Sequence, residues 1–481
     1  MKKAFLINIV FLLATNLIIK PFYLFGIDRT VQNILGSQTY GIYITLLNLC
    51  LLFQIVSDFG IRYLNNRDIA QDPELFPKYF SNIVVFKVLA AIGFTLVCYI
   101  AAFILNYDTY YLQLLSILIL AQLLTDFLEY IRSNVSGLHY YFRNSLLSIL
   151  DKLLMIILCG TLIWANPFDA PFQIEWFIYA QLLAYSISII IGLLFIKDHL
   201  KGIRFEFDLV FFKKIIKKTS GYALSVFLMS IYLRSDVLIM ERILPDGSTE
   251  AGLYYQAYRL ISAANMIGVL FAGLLLPMFA KQIKEKNSIQ ELLVFSFQLL
   301  FSMLIVASIN IIFFREQIMV SLYDEGNLYS GNILGILILS FIATGSIYIF
   351  NTLLIANENL KKLNVLYFIA MVVNLVFNFI LIPKYEAIGA AISTLITQFL
   401  VWFGGMYLTV VIFKLKTNYK LLGKLLLFIL VIIACNLLVI NWTTWSWLIQ
   451  LIVITILGVL ATFLLKLIDL KMLLKIIQER E

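Results

Sequence analysis

Residues Gly41–Arg67 read GIYITLLNLCLLFQIVSDFGIRYLNNR, and residues Gly252–Lys286 read GLYYQAYRLISAANMIGVLFAGLLLPMFAKQIKEK. Each opens on Gly-x-Tyr, continues as a long apolar run and closes in a basic turn. The openings lie 211 residues apart in a chain of 481. A helix crossing about 30 Å of hydrocarbon needs about 20 mostly apolar residues, and both stretches meet that length. Outward from them, the same template gives about fourteen spans between residues 4 and 467. Composition agrees: 62% of residues are hydrophobic and only 13% charged, with a mean hydropathy of +0.94. A soluble domain carries about 25% charged residues, so the apolar excess must face lipid.

Charge placement orients the spans. Lys and Arg concentrate in short cytoplasmic loops. Alternate turns hold Arg62, Arg67 and Lys78; Arg132 and Arg143; seven cations from Lys197 to Lys218; Lys281, Lys284 and Lys286; Lys361 and Lys362; and Lys414 to Lys424. Lys2, Lys3 and the tail from Lys466 to Arg480 add to the same side. The intervening loops hold only Arg29, Arg315 and Lys384. The expectation is an all-α membrane protein with both termini in the cytoplasm, in a bacterial inner membrane. The net charge of +8 follows from this bias, so no nucleic-acid partner is expected.

The polar stretch Lys197–Lys218 divides the chain. The expected organisation is a six-helix bundle over 1–200, a cytoplasmic linker over 201–218, a second six-helix bundle over 219–414, and two added helices with a basic tail over 415–481. Six helices per repeat give both copies one orientation, so the halves should be pseudo-symmetric about the membrane normal. The four cysteines (Cys50, Cys98, Cys159 and Cys435) lie in apolar runs, and no metal or cofactor site is expected.

Ionisable residues inside spans are functional candidates by default. Arg234 and Arg259 fall on the seventh and eighth helices, and Lys20 on the first, just before Pro21. An anionic group such as a phosphate suits a cavity lined by these cations. The alternative is structural pairing of Arg234 with Asp236 and of Arg259 with Glu241. Asp236, Glu241, Asp126 and Glu129 are candidates for ion coupling or gating. Asp126, Glu129 and Arg132 recur every three residues on one face, which a solvated helix end also explains. Asp58 and Arg62, four apart, read as an interfacial ion pair. Asn374 and Asn378, one turn apart, serve either as hydrogen-bonding glue between helices or as polar cavity lining. Gly389-Ala390-Ala391 allows close backbone packing.

Three stretches resemble a known family. YGIYITLLNLCLLFQIVSDFGIRYLNNRDIAQ (Tyr40–Gln71), DVLIMERILPDGSTEAGLYYQAYRL (Asp236–Leu260) and NVLYFIAMVVNLVFNFILIPKYEAIGAAISTLITQ (Asn364–Gln398) are similar, in order and register, to motifs of polysaccharide exporters and O-antigen flippases. These belong to the multidrug/oligosaccharidyl-lipid/polysaccharide superfamily, which also holds MATE-like exporters. The resemblance implies a flippase carrying an oligosaccharide repeat unit of O-antigen or capsule on undecaprenyl diphosphate across the membrane by alternating access. It maps the family's cationic cavity onto Arg259, within Tyr254-x-x-Ala257-x-Arg259, and onto Arg234 and Lys20. One departure stands out: Asn33 occupies the place, two before Leu35-Gly36, where the family often carries Arg. Implied partners are the lipid-linked oligosaccharide, membrane lipids and other polysaccharide-assembly membrane proteins.

Two other classes fit less well. An ion-coupled drug or cation exporter of the same superfamily needs an acidic cavity, whereas the mid-membrane set leans cationic. A polysaccharide polymerase or ligase needs a large outer loop, and the longest here, near Arg315 to Asn327, is short. No Gly-x-x-x-x-Gly-Lys-Ser/Thr nucleotide loop occurs. A transporter, not an enzyme, is the expectation.

Overall fold

A computed structural model describes residues 18–468 except 205, 207 and 417. The basic N-terminus, the start of the first expected span and the tail cations Lys471, Lys475 and Arg480 lie outside the described residues. Every regular element among the described residues is helical, and twelve helices are long and apolar enough to cross a membrane.

Two of the twelve are too long for one crossing. Leu360–Phe413 has 54 residues, about 81 Å at 1.5 Å per residue. It is interrupted at Glu386, where φ is 54° and ψ −133°. Three residues on, a Cβ at Gly389 would strike the carbonyl oxygen of Leu381. The chain therefore folds back on itself there, and only glycine permits the approach. The close packing expected of Gly389-Ala390-Ala391 is thus made with the end of its own preceding helix. Ile18–Asp58, with 41 residues, is broken at Gly36 (φ 73°, ψ 166°), a conformation open essentially to glycine alone. Among the described residues the twelve helices, with these two divided at their breaks, fall along the spans expected from hydropathy.

By contacts the chain forms two compact units, Met1–Leu253 and Tyr254–Glu481. Helix Leu209–Ile243, beyond the polar linker, falls within the first. That unit is organised around an apolar cluster of Ile61, Ile69, Phe76, Phe80, Ile83, Tyr130, Ile131 and Val135, towards the helix ends that carry basic loops. Helix Pro73–Ile104 shows how the pattern sorts its faces. Val88, Ile92, Leu96, Ile100 and Phe103 are exposed, forming a lipid stripe at helical spacing. Ala90, Phe94, Cys98 and Ala102 face inward, and Lys87 lies on the same buried stripe.

In the second unit, helices Tyr419–Trp442 and Trp447–Leu464 pack on Gln290–Phe313. Asn436 donates to Asn310 Oδ1 at 2.9 Å, and Asn310 donates to Thr455 Oγ1 at 3.1 Å, a polar seam between three apolar helices. Cys50, Cys98 and Cys159 are buried free thiols.

Candidate functional site

The first unit holds a cluster of charges inside its bundle. Lys87 Nζ lies 2.7 Å from Asp126 and 3.8 Å from Asp58. Asp58 in turn meets Arg62 at 3.0 Å, Arg62 lies 3.8 Å from Glu129, and Glu129 pairs with Arg132. Helix geometry sets the depth. Lys87 is eleven residues into Pro73–Ile104 from Phe76, and Asp126 is eleven residues from the end at Gly137, about 16 Å in each case. Lys87 and Asp126 are 7% and 3% exposed. The solvated helix end considered for Asp126 is therefore replaced by a buried ion pair, because the helix continues well past it.

The partners divide into two kinds. Lys87, Asp126 and Asp58 are enclosed, with Lys87 paired to Asp126 and Asp58 balanced by Arg62, a structural arrangement in which each charge requires its partner. The side chains of Arg62, Arg132 and Glu129 keep 29%, 24% and 36% of their surface. With Asn66, Ser133, Ser136 and Asn144 they line a cavity of about 200 Å³. Two guanidiniums beside amides and hydroxyls offer forked donors for phosphate oxygens and single donors and acceptors for sugar hydroxyls.

Lys20 joins this group. The nearest charges acting on it are Arg132 and Lys152, of like sign, and Asp151 and Glu129, of opposite sign. Lys152 pairs with Asp151 at 3.0 Å and sits over the rings of Tyr23 and Tyr185. Lys87 and Lys152 were not among the candidates read from sequence. The signal was present: both are lysines within apolar runs long enough to span, and Lys87 keeps step with the buried stripe of its helix.

Arg234 donates to Asn48 Oδ1 at 3.2 Å, tying helix Leu209–Ile243 to helix Ile18–Asp58. Asp236 is buried. Glu241 is held at the opposite end of the bundle. Arg242 contacts it at 3.0 Å, the Tyr107 hydroxyl donates to it at 3.4 Å, and the Arg242 guanidinium lies 4.1 Å over the Tyr107 ring. Burial, and then the Glu241 carboxylate, push the Tyr107 phenol well up, so it remains a donor. Tyr111 stacks on Tyr107 and exchanges a hydrogen bond with Ser248 at 3.1 Å.

In the second unit Arg259 is half-buried among tyrosines. Its Nη1 lies 3.4 Å from the Tyr255 hydroxyl and its guanidinium 5.8 Å from that ring. Tyr258 stacks on Tyr254, whose hydroxyl meets Thr394 at 3.0 Å. Asn374 and Asn378 are fully buried, with Asn378 donating to Asn374 Oδ1 at 3.0 Å.

The chain matches the family model described as "Polysaccharide biosynthesis protein" over residues 6–284. It belongs to that family. The resemblance carried by the second-helix and seventh-to-eighth-helix motifs thus holds, and the eleventh-to-twelfth-helix stretch lies beyond the matched residues. No curated protein sequence matches it. Among solved structures it is similar to a lipid II flippase, MurJ, in an inward closed conformation, with TM-score 0.70, 16% identity, and coverage of 95% of this chain and 98% of that one. It is also similar to a MOP-superfamily transporter from Pyrococcus furiosus, with TM-score 0.58, 14% identity, and coverage of 85% and 94%. A multidrug-resistance MATE transporter, inward-facing, matches at TM-score 0.55, 14% identity, and coverage of 84% and 96%. These likenesses show the fold alone, an all-helical multi-span fold like that of these three proteins.

Proposed function

We propose that this member of the polysaccharide biosynthesis family is a flippase for a lipid-linked oligosaccharide. It moves the repeat unit of an O-antigen or capsule, carried on undecaprenyl diphosphate, from the cytoplasmic to the outer leaflet of a bacterial inner membrane by alternating access. Both termini lie in the cytoplasm on this reading. The observation that carries it is the cavity where Arg62 and Arg132 remain partly exposed inside an apolar bundle, beside amide and hydroxyl groups. A diphosphate bearing sugars cannot enter hydrocarbon without losing its hydration, which costs far more than thermal energy supplies. Paired guanidiniums replace that hydration, and the neighbouring hydroxyls and amides suit the glycan. In the second unit, Arg259 with its tyrosines offers a further cation and ring faces for sugars. Lys20, Asp236, Glu241, Asp126 and Glu129 then set the charge balance through the cycle.

The experiment is to locate the lipid-linked repeat unit in cells carrying Arg62→Ala with Arg132→Ala, and separately Arg259→Ala, probing spheroplasts from outside with a glycan-specific lectin. The expected result is normal membrane insertion, with the repeat unit reached only after lysis, and partial export in the Arg→Lys variants. Full export by well-expressed Ala variants would sink the proposal.

A second reading, an ion-coupled exporter of drugs or cations, draws on the MATE likeness and on the buried Asp126. It expects cation sensitivity in cells lacking the protein and normal glycan export.

A further inference from the structure

The polar linker and the start of helix Leu209–Ile243 play no part in the site above, yet they enclose a second, larger cavity of about 430 Å³ at the basic-loop end of the first unit. Four cations line it, from three helices: Arg67, which pairs with Asp68, and Lys78, Lys214 and Lys218. Two acids stand beside them, Asp68 paired with a cation and Asp72 capping the backbone, so the cations outnumber the acids. Asp68 accepts from Arg67 Nε and Nη2 at 2.8 and 2.7 Å and from the Tyr79 hydroxyl at 2.7 Å. Asp72 accepts from the Glu74 amide at 3.1 Å. Lys214 and Lys218, one turn apart on one face, repel each other when empty-handed. Lys78 stands in the first turn of its helix, where the macrodipole also disfavours a cation. Its ammonium lies 5.7 Å over the Phe211 ring.

The walls are fixed. Ser81 donates to the Arg204 carbonyl at 2.6 Å and accepts from the Glu206 amide at 2.8 Å, and Asn82 accepts from the Asp208 amide at 2.8 Å. These bonds strap the linker to the start of helix Pro73–Ile104. Leu75, Phe211 and Ile215 give the cavity an apolar lining, and Leu209 and Val210, at the start of the helix that carries the lysines, are 61% and 76% exposed. Exposed apolar side chains ending in lysines mark the level where acyl chains meet headgroups.

We infer that this cavity binds the phosphate of an anionic lipid, with Lys78, Lys214 and Lys218 as its cation set and Phe211, Leu209 and Val210 against the acyl chains. The inference stands apart from the flippase reading, because a lipid held here need not be transported. Two lipids carry the required chemistry: a resident phospholipid and a polyprenyl diphosphate.

The test is native mass spectrometry of the purified full-length protein in mixed micelles. One arm holds equal phosphatidylglycerol and phosphatidylethanolamine, and the other replaces phosphatidylglycerol with polyprenyl diphosphate. Wild type should retain the anionic lipid over the zwitterionic one. Lys214→Gln with Lys218→Gln should weaken that retention roughly tenfold or more, at the scale of two interfacial lysines. Lys213→Gln with Lys217→Gln removes the same charge from outside the cavity and should retain lipid as wild type does. Retention in the first arm assigns a phospholipid and retention only in the second assigns the diphosphate; each supports the site. No preference in either arm, or equal loss in both double variants, overturns it.

Discussion

At the residue scale, Lys87 decides whether the buried charges of the first unit are scaffold or machinery. It is enclosed with Asp126 and Asp58, and removing one member of such a group leaves a charge without compensation. Lys87→Met is expected to cost about 3–5 kcal/mol, read as a lowered Tm of the purified protein by intrinsic fluorescence. Lys87→Met with Asp126→Leu should recover most of that loss, since an apolar pair is no worse in such a place. A single variant as stable as wild type would show that the pair is dispensable. The contrast with Arg62 and Arg132 was hard to read in the sequence. Asp126, Glu129 and Arg132 share one helix face, yet Asp126 is buried against Lys87 while Glu129 and Arg132 reach a cavity. Spacing gives the face of a helix but not what stands opposite, and here the opposite wall comes from residues some 40 positions away. Lys20 was legible as a cation inside an apolar run, but the charges around it were not.

At the element scale, the glycines of the two Gly-x-Tyr openings meet. A Cβ at Gly41 would strike the Ser248 carbonyl oxygen, and one at Gly252 would strike the Ser37 carbonyl oxygen. Helix Ile18–Asp58 and the first turns of Gly247–Glu285 therefore touch backbone to backbone, each copy of the repeat supplying the glycine that admits the other. The 211-residue offset points to a repeat, but the reciprocal contact was not legible, because periodicity gives orientation without distance. Gly41→Ala and Gly252→Ala are each expected to force these helices apart. Both should lose several degrees of Tm and most transport in the lectin assay, by the same backbone clash. Gly423→Ala, with open space around its Cβ, is the control and should match wild type or gain a few tenths of a kcal/mol from helix propensity.

At the scale of the whole molecule, the basic loops predict a sidedness. Single cysteines introduced at Phe168 or Asp324 should react with an impermeant maleimide on intact spheroplasts, and those at Asn287 or Lys420 only after permeabilisation. Labelling of Asn287 from outside would reverse the topology. Composition and charge bias were enough to read a helical multi-span protein, because the bilayer leaves few alternatives. They were silent on where loops vanish, since hydropathy windows treat a break of one residue and a loop of ten alike.

That distinction bears on how the chain enters the bilayer. The two spans flanking Glu386 are joined by a reversal only a few residues long, with Pro383, Lys384, Tyr385 and Glu386 exposed at its tip and Gly389 already pressed on Leu381. So short a turn leaves no slack for the first of these spans to settle while the second waits outside the lipid. The pair must leave the insertion machinery together, as one hairpin. Lengthening that turn would uncouple two steps of biogenesis that the native sequence makes one.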